Sequence, residues 1–129
     1  MSTRVGAWPS TRDDLERMPV VGQYVASAVL MFEHGIPAPL LDANMARVLR
    51  RYFKITPIKV DIRYDKQPQE TACAVVDGAG AVTINWTILD FAALQCTQNR
   101  PKCDRCPLQC GCARFLQVEG QLLPFLMFP

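Results

Sequence analysis

The sequence contains no run of apolar residues long enough to cross a membrane, although half of its 129 residues are hydrophobic. A spanning helix needs roughly 18 uninterrupted apolar residues, and the apolar tail from Leu122 to Phe128 is far shorter. Residues 1–9 also lack a basic segment followed by an apolar stretch, so no secretory signal is expected. These absences predict a cytoplasmic, nucleoid-associated protein that has no membrane partner.

A strong excess of positive charge is also missing. The net charge is only +2, which excludes a protein that holds nucleic acid mainly through bulk charge. Any contact with DNA would have to be local. The length of the chain fits one domain with a single core.

Local patterns predict an all-α fold, with prolines and glycines separating the helices. Helices are expected at residues 11–17, 23–33, 43–53, 68–76 and 84–97, with Asp42 and Thr83 as N-caps of the third and the last. Residues 23–33 are apolar nearly all round, which predicts a buried helix. The stretch 54–66 is expected to be irregular.

Five of the six cysteines fall between positions 96 and 112, and nothing indicates secretion, so a metal site is favoured over disulfides. Four of them, Cys96, Cys103, Cys106 and Cys112, are separated by six, two and five residues, which leaves Cys73 and Cys110 unassigned. Four thiolates on a short loop suit either an iron-sulfur cluster or zinc. The residues alone leave both alternatives open.

The six-two-five spacing resembles the four-iron four-sulfur loop of the endonuclease III and adenine glycosylase superfamily of base-excision DNA glycosylases. The preceding NWTILDFAALQC is similar to the helix that leads into the first cysteine of that loop. The resemblance implies a 4Fe-4S cluster on the four cysteines, with zinc as the alternative. It also implies that Arg100 and Lys102 contact the DNA backbone, as phosphate-positioning residues do.

A second segment, LERMPVVGQYVA at residues 15–26, resembles the helix-hairpin-helix of the same superfamily. Such a hairpin offers free N–H groups at a helix N-terminus, which suit a phosphate. The resemblance implies DNA contacts at Val20, Val21, Gly22 and Gln23. Val20 stands where the family usually has glycine, so a β-branched side chain is expected in a turn that normally favours none.

The segment LLDANMARVLRRYF resembles the one that carries the catalytic aspartate of the superfamily, and the match falls on Asp42. A fixed carboxylate near the anomeric carbon stabilises the positive charge that develops as the C–N glycosidic bond breaks. The base must first leave the stack, which costs least at a mismatch. A helix cap is the alternative role of Asp42, and the two roles are compatible.

Bifunctional members of the superfamily carry a lysine nucleophile two residues after the last glycine of the hairpin. Tyr24 stands there in this chain, which implies a monofunctional enzyme that releases the base without cutting the strand; a core aromatic is the alternative. Tyr24 together with Asp42-Ala43-Asn44 is most similar to thymine glycosylases that act on G·T mismatches in double-stranded DNA. The alternative is an adenine glycosylase acting on adenine opposite guanine or 8-oxoguanine.

The resemblance implies only the C-terminal part of the glycosylase fold. We expect a partial helical domain at 1–95, with the hairpin at about 13–34 and the aspartate segment at 40–53, then the cysteine loop at 96–112 and an apolar tail at 113–129. The helices that precede the hairpin in the family are missing, so a separate N-terminal half or self-association is expected to cover the apolar helices, and activity of the chain alone is open. A non-catalytic DNA-binding iron-sulfur module and a zinc-bound interaction domain are the alternatives from other classes.

Overall fold

The computed structural model of the protein describes residues 8–78 and 80–118. Most of the predicted apolar tail and residues 1–7 lie outside this range. The described residues form six α-helices and no strand, which confirms the all-α prediction. The helices are α1 (Arg12–Glu16), α2 (Gln23–His34), α3 (Ala43–Phe53), α4 (Lys66–Val76), α5 (Ala81–Leu94) and α6 (Ala113–Val118). None of these helices is both long and apolar enough to cross a membrane.

The ends of the first three helices follow from capping residues in the sequence. The hydroxyl of Thr11 accepts the N–H of Asp14 at the start of α1, and Asp42 caps α3 at the predicted residue. Helix α2 ends at Gly35, whose φ of +65° places it in the left-handed region that glycine adopts without strain. The predicted limits of these helices are therefore confirmed to within a residue.

The predicted start of the last long helix is wrong. Helix α5 begins at Ala81 after an N-cap at Gly80, rather than at Ile84 after an N-cap at Thr83, because Gly80 in the left-handed region (φ +87°) already turns the chain into the helix. Helix α4 also begins earlier than expected, at Lys66. Pro68 is tolerated in its first turn because no intrahelical partner exists there for an N–H.

Helix α3 lies at the centre of the packing and contacts α4, α5 and α6. Its apolar side contributes Met45, Ala46 and Leu49 to a core that also includes Ile55 and Ala72. A second cluster joins α1 to α2. Because the helix that begins at Asp42 supplies the core, the position of that aspartate is fixed by the main packing of the molecule.

The prediction that α2 is buried is only half right. Met31 and Leu30 are buried, but Tyr24, Val25 and Phe32 are between 39% and 50% exposed. On this side of the helix, Phe32 pairs with Trp86 of α5, which is itself 48% exposed. The all-round apolar pattern of α2 therefore leaves an apolar face at the surface of the described chain.

A buried polar side chain fixes the segment that precedes α3. Asn85 of α5 is fully buried; its Oδ1 accepts the N–H of Leu40 at 2.7 Å, and its Nδ2 donates to the carbonyls of Ala38 and Ala81. Buried amides need such partners. The residues leading to Asp42 are thereby attached to α5.

The stretch between α3 and α4 is irregular, as predicted, apart from a short 3₁₀ turn at Ile62–Tyr64. The buried carboxylate of Asp65 accepts the N–H groups of Ile58 and Lys59, each at 2.8 Å. These charge-assisted bonds replace the pairing that a strand or helix would supply. They fold the stretch back against α3 and α4.

Candidate active site and cysteine loop

Asp42 occupies the N-cap of α3, where two groups hold its carboxylate. Oδ1 accepts the N–H of Met45 at 2.8 Å, and Oδ2 accepts from Nδ2 of Asn44 at 3.1 Å. The side chain is half-buried. The carboxylate therefore has one defined orientation, and its remaining lone pairs are available to a ligand.

Tyr24 is the second residue of α2 and is 39% exposed. It thus lies at a helix N-terminus, as Asp42 does. Gln23, directly before it, donates from Nε2 to the carbonyl oxygen of Arg63 at 2.9 Å. This bond attaches the start of α2 to the irregular stretch that follows α3.

Arg63 is a functional candidate that the sequence did not indicate. Hydrogen bonds to Asp61 raise its pKa, and the nearby carboxylate of Asp42 shifts it in the same direction. Its carbonyl oxygen accepts from both Gln23 and Gln69. The structure thus places a held guanidinium within electrostatic reach of Asp42, on a stretch whose sequence carried no motif.

The hairpin before α2 leaves the start of that helix without a capping side chain. Val20 has a φ of +58° and is fully exposed, so the expected β-branched side chain in a glycine-type turn is confirmed. Gly22 is the N-cap and provides no capping side chain. The first N–H groups of α2 therefore have no side-chain acceptor. Val21 and Gln23 are the residues on either side of the Gly22 N-cap.

A chain of hydrogen bonds runs from Asp42 to the first cysteine. Asn44 binds Asp42 through Nδ2 and accepts from Arg47 through Oδ1 at 3.0 Å. Arg47 donates from Nε to the carbonyl oxygen of Cys96 at 3.0 Å and from its other terminal nitrogen to that of Ala92 at 2.7 Å. The residues that position Asp42 and the end of α5 thus share one arginine.

Arg51, one turn further along α3, holds the start of the cysteine loop. It donates to the carbonyl oxygens of Thr97 at 2.6 Å and Gln98 at 2.9 Å, and it contacts Sγ of Cys96 at 3.4 Å. The guanidinium fork makes several such bonds without rearrangement. Helix α3 therefore supports the loop at its first cysteine.

The cysteines of the six-two-five pattern line a common cavity, whereas Cys73 and Cys110 are exposed and lie outside it. Burial raises the pKa of Cys103; Arg114 opposes this, and the other three cysteines of the pattern add to it. All six cysteines are free thiols. Among the described residues, no three ligating side chains converge on one point. By their chemistry, four sulfur donors around one cavity suit either zinc or an iron-sulfur cluster.

Tyr52 closes the cavity beneath the loop. A Cβ atom added to Gly111 would lie 2.5 Å from the hydroxyl oxygen of Tyr52, so any other residue at this position would require the tyrosine side chain to shift. The two candidate phosphate-binding residues, Arg100 and Lys102, are both exposed, and Lys102 also lines the cavity. Neither forms an ion pair within the described part of the chain.

Comparison with known proteins gives consistent matches. The thymine/uracil-DNA glycosylase of Pyrobaculum aerophilum is 41% identical over 119 residues, which cover 91% of this chain and 52% of that protein. The adenine DNA glycosylase of Buchnera aphidicola subsp. Baizongia pistaciae is 30% identical over 112 residues, which cover 86% of this chain and 31% of that protein. No protein-family model matches.

Solved structures agree with these relatives. A thermostable thymine-DNA glycosylase superposes with a TM-score of 0.75 at 29% identity, over 87% of this chain and 51% of that one. A trapped endonuclease III–DNA covalent intermediate shares the fold, with a TM-score of 0.69 at 23% identity over 88% and 51% of the two chains. The chain thus spans about half the length of the thymine glycosylases that it matches.

Proposed function

We propose that this chain, which belongs to the helix-hairpin-helix superfamily of DNA glycosylases, is part of an enzyme that removes thymine or uracil opposite guanine. The observation that carries the proposal is the carboxylate of Asp42, held by Met45 and Asn44 at the N-terminus of α3. The choice of base is supported by the Pyrobaculum relative, which is a thymine/uracil-DNA glycosylase.

The proposed chemistry needs a fixed negative charge beside the sugar. As the glycosidic bond of the flipped base breaks, positive charge develops on the sugar, and the Asp42 carboxylate stabilises it. Because its orientation is fixed before the reaction, little reorganisation is needed in the transition state. Tyr24 carries no amine that could form a Schiff base, so the reaction ends at an intact abasic strand.

DNA binding is proposed for two surfaces that make contacts independent of base identity. The open N–H groups at the start of α2, with Val20, Val21, Gly22 and Gln23, bind one phosphate. Arg100 and Lys102 bind the backbone from the cysteine loop. Such contacts set the position of the duplex, and the specificity arises from the base that is flipped.

The four cysteines of the cavity are proposed to hold a 4Fe-4S cluster, with zinc as the alternative. The donor set fits because all four cysteines line one cavity and soft sulfur ligands suit iron-sulfur clusters. When bound, the cluster cross-links the loop and so stabilises its fold. Arg51 and Arg114 also line the cavity, and their charge offsets that of the thiolates.

An adenine glycosylase is the second candidate, because the adenine DNA glycosylase of Buchnera is 30% identical to this chain. Thymine glycosylases are favoured because the Pyrobaculum relative is 41% identical, against 30% for the Buchnera relative. Duplexes carrying G·T, G·U or adenine opposite 8-oxoguanine therefore distinguish the two candidates in a single assay.

The test uses the chain alone and the chain fused to the N-terminal half of the Pyrobaculum relative. We expect the fusion to release thymine or uracil and to leave a strand that breaks only after alkali. Asp42→Asn should lower turnover by at least about a hundredfold with DNA binding retained, since the carboxylate acts on the transition state. Asp13→Asn, at an exposed carboxylate of α1, is the control.

Strand cleavage without alkali would contradict the monofunctional assignment. A fusion that binds duplex DNA but excises no base from any mismatch would refute the enzymatic proposal and leave a non-catalytic DNA-binding module.

A further inference from the structure

A cleft of about 700 Å³ runs along the flank of α3 that carries its arginines. Its lining contains six cations and one carboxylate, Asp61, which is already paired with Arg63. The net charge of the entire chain is only +2, so its positive charge is concentrated in this cleft. The cations are Arg47, Arg50, Arg51, Lys54, Arg63 and Arg114.

The cations of the cleft are not equivalent. Arg51 and Arg114 also line the cysteine cavity, where bound thiolates would offset their charge. Arg47 and Arg51 donate to carbonyl oxygens, which orients them but leaves their net charge. Arg50 and Lys54 are exposed and form no ion pair among the described residues. The last two are therefore the side chains best placed to bind an anion.

The cleft is continuous with the cysteine loop. Gln98 lines it at one edge, two residues before Arg100. From Asn44 to Lys54 the flank of α3 measures about 15 Å at 1.5 Å per residue, which corresponds to about four nucleotides of one strand at a rise of about 3.4 Å each along the duplex axis. No aromatic side chain lines the cleft, so it offers no stacking platform for bases.

We propose that this cleft is a further DNA-binding surface that holds the sugar-phosphate backbone beyond the flipped base, with Arg50 and Lys54 as its phosphate ligands. The inference rests on the proposed function, because it extends the DNA contacts proposed for the cysteine loop to the adjoining cleft. It accounts for cations on α3 that neither the proposed catalysis nor the loop contacts use.

The test measures binding of the 129-residue chain to G·T duplexes of about three helical turns and about one turn, ~10 base pairs. In Arg50→Gln/Lys54→Gln, we expect affinity for the long duplex to fall roughly tenfold or more at 0.1 M salt, and the slope of log K against log salt to decrease by about 1.8. Affinity for the short duplex should be unchanged. Lys59→Gln/Lys66→Gln removes the same charge outside the cleft and should bind both duplexes as the parent chain does.

Different outcomes would refute the proposed function and the proposed DNA-binding cleft. Parent protein that binds neither duplex would refute the proposed function together with the cleft. Unchanged affinity and salt slope for Arg50→Gln/Lys54→Gln on the long duplex would overturn the cleft alone. If only binding of poly-aspartate were lost in that variant, the cleft would be an acidic-protein site, and the proposal would be wrong. Matching circular dichroism of the variants and the parent shows that the fold is retained.

Discussion

Asn44 holds Asp42 through a 3.1 Å hydrogen bond from its Nδ2 to the carboxylate. Its Oδ1 accepts from Arg47, and Arg47 in turn binds the carbonyl oxygen of Cys96. The orientation of the carboxylate therefore depends on the end of α5 and on the start of the cysteine loop.

Asn44→Ala tests this dependence in the fusion protein. We expect turnover to fall about tenfold or more with DNA affinity nearly unchanged, because the carboxylate loses orientation while the phosphate contacts remain. Single-turnover kinetics and a separate binding titration give the two quantities. Gln67→Ala, an exposed amide on α4, is the control, and equal losses in both variants would refute the positioning role.

The cysteine cavity predicts that anaerobically purified protein is brown, with broad absorbance near ~400 nm and about four irons per chain. Changing Cys96, Cys103, Cys106 or Cys112 to serine should abolish the colour, because each of these cysteines lines the cavity. Absorption spectra and iron analysis supply the measurements. Cys73→Ser and Cys110→Ser should retain the colour, since these thiols are exposed. Colourless protein with stoichiometric zinc would contradict the iron-sulfur assignment.

Val20 predicts a stabilising substitution. Its φ of +58° costs a β-branched residue about 1–2 kcal/mol, and full exposure means that no packing is lost on truncation. Val20→Gly should therefore raise the free energy of unfolding by about 1 kcal/mol, measured by urea denaturation. Val60→Gly, at an exposed valine without a positive φ, should have no stabilising effect. Similar changes in both variants would show that the turn is unstrained.

The sequence was most informative where one residue determines local structure. Asp42 and the amphipathic pattern after it defined both ends of α3, because a side-chain cap acts within a single turn. Thr83 had the same capping chemistry but was not used, since Gly80 had already turned the chain. Competing local signals of this kind are resolved by packing.

The candidate site was predictable only where its residues belong to a local motif. Asp42 and the cysteines carry motifs whose spacing is visible in the chain. Arg63 does not, because its place near Asp42 depends on bonds from Gln23 and Gln69 to its carbonyl oxygen. These contacts join residues up to 40 positions apart, and no local pattern encodes them.

Phe32 of α2 and Trp86 of α5 form an aromatic pair with ring centroids 6.0 Å apart. Both are about half exposed, at 50% and 48%. Val25 lies two turns from Phe32 and Val82 one turn from Trp86, so each extends the same side of its helix. These four residues define an uncovered apolar face, and large faces of this kind drive association.

The expected consequence is that the chain alone self-associates through this face. Phe32→Gln/Trp86→Gln should raise the monomer fraction measured by sedimentation velocity, because it removes apolar surface worth about 25 cal/mol per Å² on burial. Ile58→Gln/Val60→Gln, at exposed residues of the irregular stretch, should leave association unchanged. Fusion to the N-terminal half of the Pyrobaculum relative should produce the same shift and also raise the melting temperature, because the added helices bury the face instead of removing it. A parent chain that is monomeric and melts cooperatively would show that the exposed aromatic pair does not require a partner.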